Sequence, residues 1–135
     1  MNSNTMSPEG SPSGRLRQSI LVVEDEFLIR WMLSEELRSA GYHVIEACDA
    51  SEALSAMKAV RPDLVISDVR MPGPLDGLDL LAWVKENLGA LPMIIISDHL
   101  HPEQALVDGA VQFVAKPYRF DTVLEAVANG LAGKL

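Results

Sequence analysis

Five short apolar runs, each followed by a stretch with helical spacing, constrain this chain more than any other feature. The runs are "ILVV" (20–23), "HVIEA" (43–47), "DLVIS" (63–67), "MIIIS" (93–97) and "VQFVA" (111–115). Most are continuous and rich in β-branched residues rather than alternating, as expected of strands buried on both faces. The first helical run, "EFLIRWMLSEELRSAG", carries Ile29, Met32, Leu33 and Leu37 on one face, with Gly41 where a C-cap belongs. Asp49, with Glu52 three residues on, has the arrangement of a capping box ahead of "ASEALSAMKAV". "GLDLLAWVKENLG" puts Leu78, Leu81, Val84 and Leu88 on one stripe. "HPEQALVDG" has room for a fourth helix of only about two turns. Asp121 is the expected cap of the last helix, "TVLEAVANGLAGKL", whose buried stripe is Val123, Leu124, Val127 and Leu131.

Strict alternation of this kind implies an α/β domain, a doubly wound five-stranded parallel sheet with helices on both faces. At 135 residues the chain fits one such domain and not two. The domain is assigned to residues 19–135. Residues 1–18, dominated by Ser, Pro, Gly and Asn, are read as a flexible tail without the apolar core of a secretory signal. No apolar run reaches the roughly 18 residues of a membrane span. The lone Cys48 excludes an internal disulfide framework and reads as a small buried side chain. Together these features point to the cytoplasm. The chain carries a net charge of −8; residues 1–18 contribute Glu9, Arg15 and Arg17, so the rest holds −9. So acidic a domain repels phosphate backbones, which argues against nucleic acid and for basic partners or divalent cations.

Ligands of open α/β sheets bind at the carboxyl ends of the strands. There the sequence places Glu24 and Asp25, Asp68, Ser97 and Lys116. Singly, each has a plain explanation. Glu24 or Asp25 could cap a helix, Ser97 could bond its own backbone, and Lys116 could be a solvated charge. Asp68 is less easily explained, because an unpartnered buried carboxylate is costly. Converging carboxylates repel unless a cation lies among them, and a few hard oxygen donors suit magnesium better than zinc. His99 and His101, two apart on a loop, make a poor alternative metal site.

The stretches "VVED", "ISDVRMPG", "IIIS" and "VAKPY", in this order and on these strands, resemble the receiver domain of bacterial two-component response regulators. The likeness runs from about Ile20 to Lys134. It implies the flavodoxin-like strand order 2-1-3-4-5. It also implies that Asp68 is the phosphoacceptor, taking a phosphoryl group from a histidine kinase or phosphotransfer protein. Mg2+ would be held by Asp25 and Asp68, by Glu24 through water, and by the backbone carbonyl of Arg70. Lys116 would pair with phosphoryl oxygens and Ser97 would donate to one of them. The loop after Asp68 would hold the Arg70 carbonyl toward the cation. The Lys116–Pro117 bond would be cis, with Lys116 aimed inward. Ser97 and Phe113 would form a switch that reshapes the surface of the fourth helix, fifth strand and fifth helix. A homodimer through that face is compatible with the resemblance.

Three departures stand out. "MPGPLDG" is one residue longer than the usual loop, Asp98 replaces a small residue beside the phosphate entrance, and the fourth helix is about three residues short. Arg70 and His99 occupy positions that flank the approach of water, and a long-lived phosphorylated form is the expected result. With the last helix reaching the end of the sequence, no effector domain is expected, and the expected output is binding to a downstream protein, or a role as a phosphate shuttle or sink. One alternative is a pseudo-receiver that no longer uses phosphate. Another is an aspartate-nucleophile phosphohydrolase, disfavoured by Arg70 standing where a second acid would be required. A receiver catalyses only its own phosphorylation and dephosphorylation.

Overall fold

A computed structural model of the chain describes residues 17–98, 109–110 and 112–133. The expected fourth helix, His99, His101 and the tail up to residue 16 lie outside the described residues. Five parallel strands form one sheet in the order β2-β1-β3-β4-β5. They are β1 (Ser19–Val23), β2 (His43–Ala47), β3 (Leu64–Asp68), β4 (Met93–Ser97) and β5 (Gln112–Ala115). Four helices are described: α1 (Phe27–Ser39), α2 (Ala50–Ala59), α3 (Gly77–Asn87) and a C-terminal helix (Phe120–Leu131).

Continuous apolar strands are what a sheet covered on both faces requires, and successive side chains divide between two cores. Leu21, Val23, Val65, Met93 and Ile95 pack with α2 and α3. Ile20, Val22, Leu64, Ile66, Ile94 and Ile96 face α1 and the C-terminal helix. The register aligns Val23 with Ser67 and Asp68 with Ile96, so the carboxyl ends of β1, β3 and β4 share one edge of the sheet.

The helix ends follow side-chain chemistry, with some corrections to the sequence reading. Asp49 caps α2 by accepting from the Glu52 N–H at 2.8 Å, whereas Glu52 Oε1 accepts from Cys48 N rather than from the cap residue. A full capping box lies instead at α3. There Asp76 Oδ1 accepts from Leu78 and Asp79, and Asp79 Oδ2 accepts from the Asp76 N–H, each at 2.9 Å. Asp121 is not a cap. The C-terminal helix starts after Arg119, and Asp121 sits in its first turn paired with that arginine. Gly41 adopts φ 103°, a left-handed conformation suited to glycine at a helix end.

The apolar face of α1 also differs from the expected one. Leu33 and Leu37 are buried, but Met32 is 45% exposed and lies beside Phe27, Leu28 and Trp31, all of which face solvent. Helical periodicity cannot separate two adjacent apolar stripes, and here only one reaches the core.

Candidate functional site

Four of the five strands deliver polar residues to the same edge. Glu24 and Asp25 follow β1, Asp68 ends β3, Ser97 ends β4 and Lys116 follows β5. Glu24, Asp68 and Ser97 are among the few buried polar side chains, while Asp25 is exposed. One carboxylate oxygen from each of Glu24, Asp25 and Asp68 lies within 4.8 Å of the others. Lys116 Nζ donates to Asp68 Oδ2 and stands 3.8 Å from Glu24 Oε1. With all four ionised, three carboxylates against one ammonium leave a net charge of −2. That charge matches a divalent cation, and an all-oxygen donor set suits a hard one.

The site lies in a cleft of about 280 Å³ lined by Glu24, Asp25, Glu26, Asp68, Arg70, Asp98 and Lys116. Local backbone holds the acidic groups in place. Glu24 Oε2 accepts from the Glu26 N–H at 3.0 Å, and Asp68 Oδ1 accepts from the Val69 N–H at 2.7 Å. Ser67 Oγ donates to the Asp68 carbonyl at 2.7 Å. The loop after Asp68 is closed by Gly77, whose N–H donates to the Val69 carbonyl at 2.8 Å. Only glycine fits there: a Cβ on Gly77 would fall 2.1 Å from the Asp68 carbonyl oxygen.

Burial is the main reason that the Glu24 carboxyl is pushed up to about 7. The Asp68 charge raises it further, while the Glu26 N–H and the Lys116 ammonium oppose the rise. Burial also pulls on the Lys116 ammonium, but its bond to Asp68 and the Glu24 charge outweigh that and raise its pKa. Burial and the nearby carboxylates push the Tyr118 phenol up.

The remaining sequence-derived residues take the following places. Arg70 and Asp98 are exposed and line the cleft, and the Lys116–Pro117 peptide bond is cis. Phe113 pairs in register with Ile95, is half-buried, and packs on the α2–α3 core. Lys116 N donates to the Ser97 carbonyl at 3.2 Å, which ties the ends of β4 and β5 together. Sequence reasoning missed Arg30, whose Nη1 donates to the Glu24 carbonyl at 2.9 Å, and the contact of Gly77 with the Asp68 peptide. The Gly77 contact had a signal, an Asp-Gly pair opening a helix; Arg30 looked like any polar helix residue. Beside the cleft, and sharing Asp98 and Lys116 with it, is an apolar depression of about 460 Å³. Ile29, Met32, Pro117, Tyr118 and Phe120 complete its lining. No described helix is long and apolar enough to cross a membrane.

Comparison with known proteins gives the family and the fold. The family model for the response regulator receiver domain matches residues 20–128. The DNA-binding transcriptional regulator NtrC of Salmonella typhimurium is 34% identical over 119 residues. That alignment covers 86% of this chain but 25% of the relative, so the chain spans about a quarter of such regulators. Sporulation initiation phosphotransferase F of Bacillus subtilis is 31% identical over 86% of this chain and 95% of its own length. Among solved structures, the receiver domain of NtrX from Brucella abortus superposes with a TM-score of 0.79 at 35% identity. It covers 84% of this chain and 98% of that one. The chemotaxis protein CheY4 of Vibrio cholerae gives a TM-score of 0.78 at 30% identity, over 85% of this chain and 99% of that one.

Proposed function

Because this chain belongs to the response regulator receiver domains of two-component systems, we propose that it is controlled by phosphorylation of Asp68. The observation that carries this reading is one buried carboxylate, ion-paired with Lys116 and clustered with two further acids at the sheet edge. In the proposed reaction an Asp68 oxygen bonds to the phosphorus of a partner's phosphohistidine. The P–N bond breaks, its electron pair returns to the imidazole nitrogen, and that nitrogen takes up a proton. Asp68 is held for this by the Val69 N–H on one oxygen and Lys116 on the other.

The donor set fits Mg2+: Asp25 and Asp68 would hold it, with Glu24 through water and the Arg70 carbonyl completing the protein's share. When bound, Mg2+ supplies neutralising charge for the phosphoryl oxygens. Lys116 adds a second positive charge, and Ser97 is assigned to donate a hydrogen bond to the transferred group. Ser97 with Phe113 is the proposed switch, which carries a local charge event to the surface around β5. The donor is a histidine kinase or phosphotransfer protein. Its docking surface is assigned to α1, where Phe27, Leu28, Trp31 and Met32 are exposed, and to the apolar depression beside the cleft, which Met32 helps to line. Output is through binding of a downstream protein.

The test is incubation with acetyl phosphate and Mg2+, followed by intact mass measurement. One phosphoryl adduct is expected on the wild type, none without Mg2+ and none on Asp68→Asn. Failure of the wild type to be labelled overturns the reading and favours an interaction module independent of phosphate, and equal labelling of Asp68→Asn overturns Asp68 as the acceptor.

A further inference from the structure

Two of the three clustered acids, Glu24 and Asp25, are consecutive, so a single peptide plane joins their α-carbons. Whatever fixes that plane restricts the backbone torsions on either side of it, from which both side chains leave. Helix capping does not do it, because Glu26, the N-cap of α1, makes no side-chain capping hydrogen bond. The Glu24 N–H is tied to the Ala47 carbonyl at 3.0 Å, which anchors the near side of the residue. The carbonyl of the joining peptide is held by Arg30, whose Nη1 donates to it at 2.9 Å.

Arg30 is itself held by two further groups and is largely buried. Its Nε pairs with Glu46 Oε1 at 3.1 Å, its guanidinium carbon lies 5.5 Å from the centre of the Phe27 ring, and its side chain is 15% exposed. Glu46 is in turn bound through Oε2 to Arg38 Nη2 at 3.0 Å, and that nitrogen also reaches the Val44 carbonyl at 3.3 Å. A chain of charge-assisted bonds thus runs from β2 through α1 to the peptide between the two acids. The planar fork of arginine serves both ends of its link, which a lysine ammonium cannot do with the same geometry.

We infer that Arg30 is a positioning residue for the divalent-cation site, setting the orientation of Glu24 and Asp25 without touching the ion. The inference rests on the cation-binding reading above, and it makes a prediction of sign. Arg30 is a positive charge near an acidic cleft, so by Coulomb repulsion alone its removal would tighten cation binding. By positioning, its removal loosens binding, as loss of an outer support of metal ligands commonly does by tenfold or more.

Isothermal titration of Mg2+ into the wild type, Arg30→Met, Arg30→Lys and Val127→Ala separates these cases. Arg30→Met keeps an apolar stem and loses the charge, and about tenfold weaker binding is expected. Arg30→Lys keeps the charge and loses the fork, and a loss of several-fold is expected where pure electrostatics gives no change. Val127→Ala, in the buried face of the C-terminal helix, should lower the melting temperature while leaving Mg2+ affinity intact, separating stability from positioning. Should Arg30→Met not fold, Arg30→Lys decides. Wild-type binding with equal or tighter binding by the Arg30 variants overturns the inference alone. Absence of Mg2+ binding by the wild type overturns the function reading and this inference with it.

Discussion

Cation affinity should depend on pH in the neutral range, and the cause is one buried carboxyl. Glu24 is raised from 4.5 to about 7 by burial first, with the Asp68 charge adding to it. Near pH 7 about half the molecules without cation therefore carry a proton on Glu24. A divalent ion requires the carboxylate, so its apparent affinity is reduced by the protonated share. With a pKa near 7 that reduction is about elevenfold at pH 6 and about 1.1-fold at pH 8. The tenfold span corresponds to about 1.4 kcal/mol. The same shift acts on stability in the opposite sense. The folded, cation-free protein binds more protons than the unfolded chain, so this contribution is complete below pH 4.5 and is lost as pH rises through about 7. Calorimetric titrations with Mg2+ at pH 6, 7 and 8 and constant ionic strength measure the first effect. Buffers of differing ionisation heat should reveal about half a proton released per ion at pH 7. Glu24→Gln, an amide in place of the protonated acid, should flatten the profile. Affinities equal within twofold from pH 6 to 8, or an unchanged slope in Glu24→Gln, would refute the reasoning.

Three further perturbations probe other parts of the molecule. Gly77→Ala drives a methyl to within 2.1 Å of the Asp68 carbonyl oxygen and 2.8 Å of the Val69 Cα. Urea denaturation should show a loss of about 1–3 kcal/mol, with slower acetyl phosphate labelling of Asp68. Leu28→Asp, at a side chain 65% exposed on α1, should leave melting temperature and acetyl phosphate labelling unchanged. It should slow transfer from a phosphorylated protein donor at least tenfold, and equal rates in a stopped transfer assay would remove α1 from the docking surface. Arg70→Ala should shorten the phosphorylated lifetime several-fold if the Arg70 side chain screens Asp68 from water, read as phosphate release from labelled protein. An unchanged rate ends that role.

What could be read from the sequence was whatever depends on period and on strand ends. Continuous apolar runs gave the five strands, and the sheet order places Glu24, Asp68, Ser97 and Lys116 on one edge. Contacts that depend on three-dimensional detail could not be read. Met32 has the right spacing for the core stripe, but Leu33 and Leu37 fill the space against the sheet and leave it outside. Asp121 has the composition of a cap, yet Arg119 two residues earlier pairs with it, and the helix begins between them. Arg30 looks like an ordinary solvated helix residue, because its partners are a backbone carbonyl and a glutamate sixteen residues away.

The same details show why this site can hold so much negative charge before any cation arrives. Burying three ionised carboxylates around one ammonium would be costly. Two devices lower that cost here. Asp25 stays exposed, so its charge remains hydrated. Glu24, buried like Asp68 and 3.8 Å from Lys116, is the one whose carboxyl rises to about 7 and so takes up a proton near neutral pH. Near neutral pH the cluster without a cation therefore carries less charge than three ionised carboxylates would, because Glu24 is partly protonated. On the proposed reading, cation binding draws a proton from Glu24 and relies on the direction of the Glu24–Asp25 peptide, whose carbonyl Arg30 holds.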